Sequence, residues 1–540
     1  MNKSSSFLKA VSIAILCLTL GFVAACQPPP ATVTTEAPTQ VVQPTAPEQV
    51  GPSGQLIIGQ SEDINTLDPK FLKGRETQNV MRLMFDSLFH RDDEMQIIPW
   101  LATSVENPDV LTWRFHLRED VKFSNGNDFR ANDVKFTMER LLAEDSGWSE
   151  RNFIDEVKIV DDYTADIITK SPYPAFLTRA VLWHMLDEEY FNEVGDDGFL
   201  TSPVGTGPYT FVSWATDEEV MLEANVNYWR GAPKIKTVIF RPIPETATRI
   251  AALESGDVNI ISDVTPAYAK QPGRDVQIVT IPGTRAFFIG MNVNVAPFDK
   301  VAVRQAMNYA VDVPAIIKSV LNGLARPMDN PLLPEAFGYV ATPFYHYDAA
   351  KAKSLLADAG LPDGFEMELY TSAPMKEVAE ALAGQLSAVG IVVHINILDP
   401  SALTAKVEPG DTQAYLSSWG NSEMDASGIL PKQFYSKRYG CDLVTFKYPA
   451  PESGFGDASK GCYYTGFGDP DADAAIQEGQ TNIDPEARKA AYAEALRIIV
   501  EKTPWVFLYN PEEIYAYRGV EGWVPRSDAL FNLANASVTK

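Results

Sequence analysis

Residues Phe365 to Ile397 constrain the fold more than any other stretch of this chain. Phe365, Met367 and Leu369 alternate with polar residues, which places them on one face of a strand. A helical segment from Glu377 to Val389 follows, stops at Gly390 and feeds at once into a second apolar strand, Ile391 to Ile397. Glycine just beyond a helix supplies the left-handed residue that ends it. Two strands joined through a helix are expected to lie parallel, with a right-handed crossover. The fold class is therefore α/β.

Other segments extend the pattern. Asp299 is placed to cap a helix through Val311, and Asp312 with Pro314 starts another that stops at Gly323. Asp348 caps a helix to Ala359, closed by Gly360 and Pro362, and Asp484-Pro485 opens a long helix that Thr503-Pro504 ends. Earlier, Gln55 to Gly59 reads as a strand, and Leu111, Trp113, Phe115 and Leu117 alternate as a half-buried one. Val134, Met138, Leu141 and Leu142 form a helical stripe. Thr246 to Ser255 is a helix ended by Gly256, and the strand Val258 to Ile261 follows it. About 490 residues lie beyond residue 53, more than the ~250–300 that one core holds, so two or three lobes are expected. In such sheets, ligands sit at the carboxyl ends of strands, in the crevice between halves.

The first 53 residues belong to none of these elements. Lys3 and Lys9 precede an apolar run from Ala10 to Val23, shorter than the ~20 residues a bilayer requires and suited to a secretory signal. Val23-Ala24-Ala25-Cys26 resembles the lipobox of bacterial lipoproteins, which implies a signal peptide over 1–25 and lipidation of Cys26. An ordinary signal with an incidental cysteine is the alternative. Gln27 to Ser53 has seven prolines and no Lys or Arg. It makes 26–53 a disordered tether reaching roughly 80 Å when fully extended. No later apolar run is long enough to span a membrane.

The formal net charge is −26, from 71 acidic and 45 basic residues, with no basic stripe to neutralise phosphates. Nucleic acid is therefore excluded as a partner. Cys17 leaves with the signal, so Cys441 and Cys462 form an even pair in an oxidising compartment. A disulfide between them would contribute about 3 kcal/mol in the chain-entropy model; two buried thiols are the alternative.

The sequence lacks the signatures of serine hydrolases, zinc proteases, CxxC redox proteins and Walker A nucleotide sites. Gly205-Thr206-Gly207-Pro208 reads as a tight turn, because Pro208 stands where a phosphate-binding helix would offer N–H groups. The five histidines, His90, His116, His184, His346 and His394, contain no pair at helical ligand spacing, so no metal site and no cofactor are expected. His394, inside an apolar strand, is read as a buried core imidazole. Nothing points to an enzyme.

Several ordered blocks carry a resemblance. They are Thr112 to Leu142 (TWRFHLREDVKFSNGNDFRANDVKFTMERLL), Pro203 to Phe211 (PVGTGPYTF), Asn227-Tyr228-Trp229 and Arg241 to Asp257 (RPIPETATRIAALESGD). Phe298-Asp299 with Val303 to Ala310, Tyr347 to Gly360 and Tyr509 to Tyr517 continue the series. Together they resemble the family 5 bacterial extracellular solute-binding proteins, the peptide and nickel receptors of ABC importers. The resemblance implies a type II periplasmic-binding-protein clamshell with an inserted subdomain. Lobe I would comprise 54–87, 200–282 and 504–540, the inserted subdomain 88–199, and lobe II 283–503. It also implies a monomer outside the cytoplasm, in the periplasm or on the outer face of the cell membrane. Such a receptor captures an oligopeptide or similar polar solute between lobes and delivers it to membrane permease and ATPase subunits. Closure is a population shift, since ligand bridges both lobes only when they close.

By the same resemblance, Trp419 is a stacking wall and Asn421, Ser422 and Asp425 are polar contacts. Phe288, Met291 and Asn292 on the strand entering lobe II, and Ser61, Glu62 and Asp63 on the first-lobe loop, complete the expected site. Dipeptide receptors of the family carry an aspartate where Ser422 stands, and an arginine for the ligand carboxylate where this chain offers Lys376. These departures argue against a free dipeptide and leave longer peptides, glycosides or opines. Nickel or haem is a rival ligand, although no histidine falls in these segments. An anchored hydrolase and a peptide-signal receptor are the competing functional classes.

Overall fold

The computed structural model describes residues 51–436 and 464–539, apart from 147, 149 and 344. The signal, the tether up to residue 50, and Cys26, Cys441 and Cys462 lie outside these residues, and so does the expected disulfide.

One sheet of 12 strands forms the backbone of the fold. From one edge to the other the main path is Ile391–Leu398, Phe365–Ser372, Ala414–Gly420, Arg285–Met291, Trp505–Tyr517, Ile260–Ile261, Ser53–Gln60, Ile235–Pro242, Glu219–Ala224 and Tyr209–Ala215. Gln277–Pro282 and Ala325–Pro327 also pair with Trp505–Tyr517. The opening unit is as expected: Phe365–Ser372 runs parallel to Ile391–Leu398, with helix Lys376–Ser387 between them in sequence. Met367 and Leu369 pack against Val378, Leu382 and Leu386, so the alternating strand face meets the apolar helix stripe.

Helix starts follow the local chemistry. Asp312 accepts a hydrogen bond from Ala315 N, Asp348 from Lys351 N, and Asp484 from both Glu486 N and Ala487 N. Gly256 closes helix Thr246–Ser255 with φ of 89°. Asp299 is a correction: helix Val301–Ala310 begins after Lys300, without a side-chain cap. His394 is another. It stands on the edge strand with its ring half exposed, 3.3 Å from Glu366, because the polar face of that strand is the uncovered one.

Trp505–Tyr517 joins the two halves. Its first part pairs with Arg285–Met291, and Val506 and Leu508 lie in the lobe II core. Its last part pairs with Gln277–Pro282, and Tyr515 lies in the lobe I core. The strand changes partners near Asn510. Asn510 is buried there, donating at 2.8 Å to the carbonyls of both Gly283 and Arg285 and tying the two crossing segments together. A separate four-stranded sheet, Ala102–Glu106, Thr112–Leu117, Thr164–Thr169 and Ile154–Asp161, builds the inserted subdomain around Phe115, Phe176 and Trp183. Leu186, Phe191 and Phe199 pack in the cluster that holds Leu56, Tyr209 and Phe240.

Candidate ligand-binding cleft

Helix α1, Arg75–Met84, contributes one polar face to the space between the lobes. Arg75, Gln78 and Arg82 stand at i, i+3 and i+7, so they share that face. At the hinge end, Arg75 pairs with Glu513 at 3.3 Å and Asp263 at 3.6 Å. Arg285, from the first residue of the lobe II strand, donates to Ser418 Oγ at 3.3 Å and lies within the charge field of Arg75, Glu513, Asp263 and Glu76. Farther along α1, a pocket of about 40 Å³ opens between three parts of the chain. Gln78 and Arg82 come from lobe I, His90, Arg91 and His184 from the inserted subdomain, and Ser422 from lobe II.

Its electrostatics are uneven. Burial, then the like charge of Arg526, pushes the Arg82 guanidinium down to about 10. Burial and the Arg82 charge push His184 down to about 4 and His90 well below its ordinary range, so both imidazoles are neutral at pH 7. Asp528 lines the same pocket. Burial acts to raise its pKa, yet the bonds and charge of Arg526 hold it below the usual carboxylate range.

Loop 421–425 reaches this pocket from the lobe II side. Arg91 Nη2 donates to the Glu423 carbonyl at 2.6 Å, and Arg179 pairs with the Glu423 carboxylate at 3.3 Å. Lys432 holds the same carboxylate at 2.6 Å, and Arg179 also pairs with buried Glu150. Lobe II thus touches the inserted subdomain across the cleft.

The expected site residues divide into two groups. Ser422 is exposed and lines the pocket. Trp419 is half-buried, its Nε1 donating to Gly428 O at 3.2 Å, and Ser61 donates to Glu76 at 2.8 Å beside Arg75. Glu62 is exposed. The rest serve the fold. Phe288 is stacked on Trp505 with ring centroids 3.4 Å apart, and Met291 is wholly buried in the lobe II core. Asn292 donates to the carbonyls of Gly410 and Thr412. Asp63 accepts from Trp214 Nε1 and Asp217 N. Asn421 donates to the Asp425 carbonyl, and the Asp425 carboxylate is held by buried Arg488 at 3.0 Å. Lys376 sits on the surface beside Glu380.

A family model described as bacterial extracellular solute-binding proteins, family 5 middle, matches residues 96–440. The chain belongs to this family. The glutathione-binding protein GsiB of Pectobacterium atrosepticum is 29% identical over 508 residues, covering 90% of this chain and 94% of that one. The ABC transporter substrate-binding protein CtaP of Listeria monocytogenes superposes with a TM-score of 0.79 at 24% identity, over 91% of this chain and all of that one. AgaA of A. tumefaciens R10, solved with agropinic acid, gives 0.73 at 27% identity, over 90% of this chain and 99% of that one. This family 5 protein is an extracellular solute-binding protein, and it has the two-lobed α/β fold. Among the described residues, no helix is long and apolar enough to cross a membrane.

Most of the family-like blocks in this solute-binding protein shape the scaffold. Thr206, Tyr228 and Trp229 converge with Trp100 as donors on buried Asp86. Gly205 and Gly207 lie so close to the Met84 carbonyl that a Cβ on either would clash at 2.2 and 2.7 Å. Asn308 links its helix to Thr503 and the Trp505 carbonyl. The cleft cations Arg75, Arg82, Arg91 and Arg285 were not expected from sequence. The spacing along α1 was a usable signal for two of them, but nothing local showed which element that face would meet.

Proposed function

We propose that this protein captures a short peptide bearing at least one free carboxylate, of about the size of glutathione, and delivers it intact to its permease. The observation that supports this is the pocket bounded by Ser422 on one lobe and by Gln78 and Arg82 on the other, crossed by the Arg91–Glu423 bond. A solute lodged there contacts both lobes only when they close, and differential affinity then favours closure. The relatives named for glutathione support that size and class, and Arg285 and Arg82 supply cations where Lys376 does not. Trp419 and Ser422 are the ligand contacts we retain from the expected set. Asp425 and Asn421 act by holding the loop that carries them. The chemistry is binding, without turnover.

We further propose that Cys26 carries a lipid anchor and that residues 27–53 tether a monomeric body near the permease, raising its effective concentration there. A Cys26→Ser protein is then expected to bind ligand normally and to leave the membrane fraction. A thermal-shift screen against peptide, oligosaccharide and opine pools, with mass spectrometry of the recovered ligand, tests the main reading. An intact short peptide supports it, and a hydrolysed product overturns it.

A further inference from the structure

We propose that the pocket between Arg82, Arg91 and His184 is an anion subsite that receives a carboxylate of the captured solute. The inference deepens the peptide-capture reading and rests on it.

The geometry is that of a site with more guanidinium groups than carboxylates in direct contact with them. Arg91 is only 7% exposed, and its two Nη atoms donate to carbonyls, of Met95 at 2.8 Å and of Glu423 at 2.6 Å. No carboxylate among the described residues is paired with it. Arg82 donates to the Arg91 carbonyl at 3.2 Å, and its paired carboxylate oxygen, on Asp528, lies 4.0 Å away. That carboxylate is already engaged by Arg526, whose Nε and Nη2 donate to it at 3.0 and 2.7 Å. Arg526 takes up Asp93 as well, at 3.8 Å. Within 4.0 Å, three guanidinium groups therefore share two carboxylates, and Asp86, Asp92 and Glu423 act on them only from farther away.

His184 supplies the second, independent sign. It is 3% exposed and lines the pocket, and at most one of its two ring nitrogens has a partner, the Phe85 backbone. Buried polar atoms without partners are rare in native proteins. A neutral imidazole carries one N–H, and with that proton on the nitrogen turned away from Phe85 it donates to an incoming oxygen. The volume, about 40 Å³, exceeds the roughly 10–15 Å³ that one water needs and suits a group of a few heavy atoms. Ser422 adds a hydroxyl from lobe II, so the bound anion would touch both lobes. A carboxylate there gains charge-assisted bonds, roughly twice as strong as neutral ones.

The test uses the purified protein, wild type and Arg82→Met, with reduced glutathione and its two mono-carboxamides as probes. Calorimetry is expected to show that one of the two carboxamides binds wild type at least about tenfold more weakly than glutathione, about 1.4 kcal/mol. In Arg82→Met that discrimination should fall to about twofold or less. Equal binding of all three probes to wild type, or undiminished discrimination in the variant, overturns the subsite.

A ligand-free measurement separates this idea from the choice of peptide. Replacing an under-compensated buried cation by an apolar side chain is neutral or stabilising, and the Arg91 carbonyl keeps its 2.8 Å bond from Arg526. Arg82→Met should melt at or above the wild-type temperature without ligand. A clearly lower melting temperature would mean the charge is already compensated, and would overturn the subsite whatever ligand binds. Failure of glutathione to bind, with Arg82→Met melting at or above wild type, would overturn the peptide reading and support the subsite.

Discussion

Arg91 of the inserted subdomain donates from Nη2 to the Glu423 carbonyl of lobe II at 2.6 Å, and Arg179 meets the carboxylate of the same residue at 3.3 Å. Glu423 is 5% exposed, and its carboxylate is held below the usual range by Lys432 and Arg179 against the opposing effect of burial. The pair forms only when the lobes are together, so it weights the closed state. Glu423→Gln is expected to weaken ligand binding by about tenfold or more, since a buried pair broken on one side costs about 3–5 kcal/mol and only part of that falls on closure. Small-angle scattering should show a larger radius of gyration for the variant. Unchanged affinity and dimensions would show that the contact does not govern closure.

Asp425 offers a contrasting case. Its carboxylate caps Ser427 and holds Arg488, which is itself 5% exposed and stacked over Phe337. Asp425→Ala should lower unfolding stability by about 3–5 kcal/mol, by stranding the guanidinium. Urea denaturation measures this. A change below about 1 kcal/mol, with ligand affinity lost, would return Asp425 to the ligand.

Asp133 gives a pH signature. Burial raises its carboxyl to about 7, against bonds from Glu188 N and Arg130 N. The folded state therefore holds a proton that the unfolded chain releases near its ordinary value of 3.8. The associated stability is full below that value and is lost as pH rises through about 7. His90 and His184, buried neutral, act in the opposite sense below about 6.5. The comparison must therefore isolate one group. The stability advantage of wild type over Asp133→Ala should be larger at pH 5 than at pH 8, by up to about 3 kcal/mol. A pH-independent difference contradicts the assignment.

Cys441 and Cys462 are expected to be joined. Non-reducing peptide mapping should recover one cross-linked peptide, and reduction should lower stability by about 3 kcal/mol. Two free thiols would reject the bridge.

The fold was legible because its signals are local. Asp312, Asp348 and Asp484 cap helices by themselves, and the parallel unit around Lys376–Ser387 follows from a run of 33 residues. The errors came where a neighbour decides. His394 lies in a strand of apolar residues, yet that strand is a sheet edge with an uncovered face. Phe288 and Met291 sit on the strand that enters lobe II, but the faces they occupy meet Trp505 and the lobe core. The cleft was harder still. Arg82, Arg91 and His184 are separated by up to 102 residues and meet only through the junction of lobe I with its inserted subdomain. A surface arginine and a pocket arginine look alike until that junction is built.

The most direct test of solute capture between lobes is titration of the purified protein with reduced glutathione and other short peptides, followed by calorimetry and by mass spectrometry of the bound species. One molecule bound per chain, recovered chemically unchanged and released at least about tenfold more readily by Glu423→Gln, is the predicted result. Recovery of a cleaved product, or binding that is indifferent to Glu423, Arg82 and Trp419 alike, would contradict it.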